Sequence, residues 1–238
     1  MSFDTNTNTK TAYAASGEID LGLQSHMQKV YNTMGIGLVV TGLTAFLTAT
    51  VPALYNLVFG TPLVWVAMFA PLAIIWFGLS PARVYKMSPA KVQGVFLFLA
   101  LVYGLSFASI FHVFTSESIA RVFFITAAMF AGTSLYGYTT KKNLAGVGSF
   151  MIMGLIGIII ASLVNLFIAS SMVHFIVSVL GVVIFTGLTA WDTQRIKETY
   201  ALSHGDATNS KMATMGALSL YLNFIMLFQS LINLMGER

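Results

Sequence analysis

One carboxylate stands out in this chain. In the stretch "GLTAWDTQRIKETY", residues 187–200, Asp192 follows a long apolar run and precedes the first cations, Arg195 and Lys197. Only 8% of the 238 residues are charged. A carboxylate at the centre of a membrane helix costs about 2.5–3.5 kcal/mol on insertion scales, so such a residue faces a bundle interior or a cavity. Two chemistries fit. Asp192 is a protonatable group lining a cation path, or it is a structural group that caps the interface or pairs with Arg83 or Arg195. Burial favours the neutral carboxyl and a nearby arginine the charged one; the sequence leaves that balance open. Asn223 and Asn233 are the polar counterparts in the last apolar stretch. If helix continues through "TQRIKETY", Asp192 stands about two turns above its end, and Asn223 lies about 14 Å into its own helix, at ~1.5 Å per residue. Those helices run antiparallel, so the two side chains reach similar depth.

The elements that hold them follow from composition. The chain is 57% hydrophobic with mean hydropathy +0.82, whereas soluble domains are about 45–50% apolar and about 25% charged. Its natural solvent is lipid. A hydrocarbon core of about 30 Å needs roughly 20 apolar residues per helix, and seven stretches qualify: 30–54, 58–79, 93–112, 119–138, 147–169, 173–191 and 214–235. The sequence therefore predicts an all-α, polytopic seven-helix bundle over residues 30–238, preceded by a polar arm over 1–29 that is mobile or surface-lying. Pro71 falls inside the second span and predicts a kink there. Ten cations (Lys10, Lys29, Arg83, Lys86, Lys91, Lys141, Lys142, Arg195, Lys197, Lys211) fall on one side, and only Arg121 and Arg238 on the other. The positive-inside rule then puts the N-terminus in the cytoplasm and the C-terminus outside.

Small residues let helices approach closely in lipid. Gly154, Gly157 and Ala161 in the fifth span, and Gly35, Val39 and Gly42 in the first, read as packing faces. Glu117 and Arg121, four apart, read as an exposed helix pair. The absence of cysteine excludes disulfides and thiolate metal sites. The scattered excess of basic residues gives no nucleic-acid patch. A retinal-type pump needs a lysine in the last span, and 214–235 has none. His112 and His174 fall on the same outer side, which makes haem ligation conceivable but weaker than simple hydration. Hydrolase, P-loop and dinucleotide signatures are missing. The expectation is a protein that is not an enzyme and carries no cofactor or metal.

"GLTAWDTQRIK" followed by "GALSLYLNFIMLFQSLINLMG" resembles the last two helices of the Bax inhibitor-1 family, also called the transmembrane Bax inhibitor motif family. Asp192 and Gln194 match its aspartate–x–glutamine element, with Arg195 following. Leu220, Tyr221, Leu222, Phe224 and Ile225 match its last helix. "APLAIIWF" in span two and the lysine pair after span four add support, and the bacterial branch fits best. The resemblance implies a seven-helix bundle with the last helix in the middle, in the inner (plasma) membrane. It implies one of two activities. Some members act as pH-sensitive calcium leak channels in which two aspartates, on the last two helices, share a proton while an arginine on helix two couples to them. Others bind and restrain a membrane AAA protease.

The sequence departs where the switch should be. The second aspartate's position holds Asn223, and the family's usual asparagine falls at Met226. A carboxyl dyad titrates as it does because two like charges cannot both ionise; here one titrating group remains. Fewer oxygen charges also mean weaker binding of a hard cation. Asp192, Asn223 and, as the helix-two arginine, Arg83 are the candidate pH-sensing and ion-path residues. The two readings are a calcium or other cation leak with an altered switch, and a non-conducting membrane partner of a larger complex such as a protease.

Overall fold

The computed structural model describes residues 5–201 and 204–237, with side chains from residue 21 onward. Arg238 and the side chain of Lys10, both used in the charge count, lie outside the described residues, as do residues 1–4 and the other side chains up to residue 20 of the segment read as an arm. Ten α-helices and one π-helical turn follow in order: α1 (Thr5–Thr50), α2 (Pro52–Phe59), α3 (Leu63–Ala73), the π turn (Ile74–Gly78), α4 (Pro81–Lys86), α5 (Pro89–Phe107), α6 (Ile110–Val113), α7 (Ser116–Thr139), α8 (Ala145–Ile168), α9 (Ser171–Thr199) and α10 (Asp206–Met235). The described residues contain no strand. Helix is already present below residue 30, and Met27 and Val30 are both buried.

The helix ends follow local chemistry. Pro52, Pro81 and Pro89 open their helices, where the missing N–H has no intrahelical partner to lose. Thr115 and Ser170 cap α7 and α9 through their side-chain oxygens. Helix α8 ends at Ala169 in the left-handed region, φ 52°, the usual way to stop a helix, here without glycine.

Six helices are long and apolar enough to cross a membrane, and α2 with the α3–π segment passes the same test as one bent pair. Named contacts place the two ends of this pair at opposite ends of the bundle. Tyr55 on α2 stacks on His112 at the end of α6, ring centroids 4.0 Å apart. Lys211, at the start of α10, donates to the Tyr85 carbonyl on α4, and Lys29 on α1 donates to Ser210. The chain has therefore passed from one face to the other between Tyr55 and Tyr85. It does so with a 76° bend between α2 and the α3–π segment, a sharper break than the kink expected from Pro71 alone. Pro71 acts further along. It has no N–H to give to the Ala67 carbonyl one turn back, and that carbonyl instead accepts from Ser106 Oγ on α5 at 2.5 Å. Three residues after the proline the ladder widens, with Leu79 N–H donating to Ile74 O. In a bilayer such a break needs a neighbour that satisfies the freed backbone group, and Ser106 is that neighbour.

Helix α10 lies in the middle of the bundle, as the resemblance implies. Of its span 72% is buried, against 6% of α8. Tyr221 is fully buried on it, with Phe96 and Tyr103 packed edge-on. Its hydroxyl meets Thr41 Oγ1 at 2.7 Å, and Thr41 donates to Ala100 O at 2.9 Å, so one phenol ties α10 to α1 and α5.

Two expected packing details are corrected. In the first span the close approach is at Gly37, where an added Cβ would meet Phe96 at 2.6 Å. Gly35 and Gly42 have nothing within 4 Å, and Val39 is exposed. Two glycines seven apart on an apolar helix do not reveal which side has a neighbour. Arg121 pairs not with Glu117 but with Glu237, at 3.0 Å. The residues after α10 fold back onto the start of α7: Glu237 N–H donates to Ser118 Oγ at 2.9 Å, and Thr115 N–H donates to Glu237 O. This clasp brings the end of the chain within reach of the arginine.

Candidate polar site on the central helix

Helix α9 continues unbroken through Thr199, so Asp192 is a mid-helix residue about two turns from the end. It is buried, as is Asn223. Asn223 Nδ2 donates to Asp192 Oδ2 at 2.8 Å. This contact joins α9 and α10, the helix pair packed most extensively on each other. Among the described residues no cation forms an ion pair with Asp192. Arg195 is exposed and lies over the Trp191 ring, 5.4 Å from its centroid. Arg83 is exposed on α4 and makes no hydrogen bond or ion pair with Asp192. The structure thus brings Asp192 and Asn223 together and leaves both arginines apart from them. Met226 and Asn233 are half-buried and take no part in the contact.

Why Asp192 and Gln194 do different things is a matter of helical phase. Residues two apart on a helix point about 200° apart at 3.6 residues per turn. Asp192 faces α10. Gln194, also buried, faces the connection between α7 and α8: its Oε1 accepts from Leu144 N–H at 2.8 Å and its Nε2 donates to Lys142 O at 2.9 Å. Leu144 is the N-cap residue of α8 and offers no side-chain cap; Asn143 Oδ1 takes the next N–H, that of Ala145, at 2.8 Å, and the Leu144 N–H is left to Gln194. Gln194 therefore supplies from a distance what a capping residue would supply locally. Lys197, one turn on, donates to Tyr138 O near the end of α7 at 2.8 Å. Arg195 shares none of this.

A second polar seam adjoins the pair. Thr193 Oγ1 meets Ser134 Oγ at 2.9 Å and donates to Thr189 O at 2.8 Å; Ser134 Oγ meets Tyr31 OH at 2.6 Å. These hydroxyls tie α9 to α7 and α1. Sequence reasoning passed over them because a serine or threonine in an apolar span so often bonds its own helix carbonyl; Thr126 and Ser178 do that here. The available signal is Ser134 and Thr193 both falling near the cation-rich ends of adjacent spans. Glycines set the spacing around the site. A Cβ at Gly137 would collide with the Ala190 carbonyl, and one at Gly148 with the Trp191 ring. Helices α7 and α8 approach α9 closely on either side of Asp192.

On the far side of Asn223 the lining is aromatic. Phe224 packs against Phe123 and Phe130, both with centroids 5.6 Å away, and Phe123 also meets Phe228. A small apolar cavity of about 100 Å³ lies beside them, bounded by Thr41 and Gly42 of α1 and by Ile110 and Phe111. His112 stacks on Tyr55 and His174 is exposed. Among the described residues no group of three or more His, Asp or Glu side chains could hold a metal.

Fold and site together define a polytopic α-helical membrane protein with a polar pair buried on its central helix. The sequence model of the family described as inhibitor of apoptosis-promoting Bax1 matches residues 23–238. The chain belongs to this family, the Bax inhibitor-1 family, and is an integral membrane protein. It is 43% identical over 233 residues to the protein RP147 of Rickettsia prowazekii, covering 98% of each chain. It is 44% identical over 232 residues to a Caulobacter vibrioides protein, covering 93% of this chain and 92% of that one. The inner membrane protein YbhL of Escherichia coli K12 is 39% identical over 219 residues, 91% of this chain and 93% of YbhL.

Proposed function

We propose that this chain is a bacterial inner-membrane protein, N-terminus in the cytoplasm, that passes or senses cations through the Asp192–Asn223 contact and catalyses no reaction. The observation that carries the proposal is a buried carboxylate on the central helix pair, bonded to a neutral amide and paired with no cation. Asp192 supplies the one formal negative charge. Asn223 supplies a carbonyl oxygen whose amide nitrogen is already engaged. Such a set is thin for a hard divalent ion, which takes six to eight oxygen ligands, so binding is weak and transient, as a leak requires. On this reading the packed rings of Phe123, Phe224 and Phe228 are the hydrophobic plug that keeps this conformation closed. Location in the inner membrane is supported by the likeness to YbhL, and orientation by ten of the twelve cations lying on one side.

The test is ion flux into vesicles containing the purified protein. Calcium entry, and entry of a monovalent cation in a parallel assay, is expected for the native chain and at least tenfold slower entry for Asp192→Asn. Equal rates in both, above protein-free vesicles, would remove Asp192 from the path.

A second reading is a non-conducting partner of a larger membrane complex such as a protease. The observation in its favour is α8. Its span is almost wholly exposed, and Gly154, Gly157 and Ala161 line an apolar groove of about 410 Å³ against α9. Gly157 has no neighbour within 4 Å, so part of that small-residue face is open, not packed. No flux in either protein, with one membrane protein recovered in constant ratio after mild-detergent extraction, would favour this reading.

A further inference from the structure

The corner between the broken second crossing and α5 is basic and unopposed. Residues 21–116 contain no aspartate or glutamate, yet they include Lys29, Arg83, Lys86 and Lys91. Three of these lie within or just after α4. Arg83 and Lys86 sit in its last turn, both exposed, and Lys91 is exposed in the first turn of α5. Among the described residues none of the three side chains makes an ion pair or hydrogen bond. A fourth cation is built in: Lys211 of α10 donates to Tyr85 O at 3.1 Å, its ammonium 5.7 Å from the Tyr85 ring. The apolar side of the corner is as exposed as the charged side. Tyr85 is 83% and Trp76 77% exposed, and Phe77 is exposed beside them. In a soluble protein these rings would be a liability; at a membrane surface they are the amphipathic belt that sits at headgroup level.

We infer that this corner binds the phosphate headgroup of an anionic phospholipid, held by Arg83 and Lys86 with Lys91 and Lys211 contributing charge. Four cations that no described carboxylate pairs with match a phosphodiester, for which arginine offers a forked donor and lysine a point charge. Juxtamembrane cations are drawn to an anionic leaflet, so the cluster holds such lipid in preference to a zwitterionic one. Tyr85 and Trp76 place the site at the depth of the headgroup. The inference rests on the chain spanning a membrane, and not on whether it conducts. It also gives Arg83 a role away from Asp192.

The experiment is thermal unfolding of the delipidated, detergent-purified full chain. Phosphatidylglycerol, phosphatidylcholine and inorganic phosphate are added separately. Phosphatidylglycerol is expected to raise the midpoint by several degrees more than phosphatidylcholine. The double variant Arg83→Gln/Lys86→Gln loses that difference. Its midpoint in phosphatidylcholine stays at the native value, since neither side chain has a hydrogen-bond or ion-pair partner among the described residues. Lys141→Gln/Lys142→Gln, which removes as much charge from another loop of the same face, keeps the difference. If the double variant fails to fold, the lipid carried through purification of Lys86→Gln, counted by native mass spectrometry, decides; a lower phosphatidylglycerol count than native is expected. The inference is overturned by equal gains from the two lipids, by an equal loss in the two double variants, by an unchanged lipid count, or by inorganic phosphate giving the whole effect without lipid.

Discussion

At the scale of single residues, the distinctive event is an amide facing a carboxylate where a second carboxylate would complete a proton-sharing pair. Asn223 donates one hydrogen bond to Asp192, and among the described residues Asp192 has no cation to pair with. Replacing Asn223 by leucine removes that donor and leaves a buried carboxylate alone. A group so abandoned costs about 1–3 kcal/mol, more when charged, and thermal unfolding in detergent is expected to show it as the largest loss of any single substitution at the site. Tyr221→Phe is the milder comparison. It removes a hydroxyl from Thr41, which still donates to Ala100 O, and interhelical hydrogen bonds in membranes average about 0.6 kcal/mol. The same unfolding assay should place Tyr221→Phe well below Asn223→Leu; the reverse order would mean that the phenol seam, not the polar pair, holds α10. Asp192 and Asn223 were legible as a pair because both are polar in apolar helices of known polarity. The Ser134–Thr193–Tyr31 seam was not, because a hydroxyl in a span satisfies itself on its own helix as easily as across a contact.

At the scale of elements, two backbone gaps are filled from other helices. The carbonyl of Ala67, deprived by Pro71, takes Ser106, and the Leu144 N–H at the start of α8 takes Gln194. Ser106→Ala is expected to destabilise by about 0.5–2 kcal/mol, since a buried carbonyl loses its donor, whereas Ser106→Thr, which keeps the hydroxyl, should cost less. Gln194→Leu removes two hydrogen bonds at once and is expected to cost about 1–3 kcal/mol, with faster amide exchange confined to the first turn of α8 as its signature. Uniform exchange across α8 would contradict the capping role. The sequence indicated a kink at Pro71 but not the 76° break before it, which falls at "GTP", residues 60–62. The spans were countable from hydropathy alone, yet in an all-apolar segment periodicity does not tell lipid from protein, and so Gly35 and Gly42 were assigned a packing face that belongs to Gly37.

At the scale of the molecule, one buried helix is surrounded by others of very different exposure, and glycine substitutions report the difference. Gly137→Ala drives a methyl into the Ala190 carbonyl, and overpacking of this kind typically costs about 1–3 kcal/mol. Gly157→Ala meets open space and should be neutral or stabilising, by up to about 1 kcal/mol from helix propensity. Equal effects at the two positions would mean that α8 is covered in the membrane, and would point to a partner. Because the chain has no cysteine, single cysteines report orientation cleanly: Glu117→Cys should react with an impermeant thiol reagent on intact cells, and Lys142→Cys only after the membrane is opened.

The central claim is that this copy keeps half of a two-carboxylate switch. Cation flux into vesicles measured from pH 5 to pH 8, for the native chain, Asp192→Asn and Asn223→Asp, tests it most directly. The account predicts loss of flux in Asp192→Asn, native flux with no more than the shallow pH dependence of one proton, and steep pH gating in Asn223→Asp, where two carboxylates must share a proton. Native flux already gated as steeply as Asn223→Asp, or gating that survives Asp192→Asn, would contradict it.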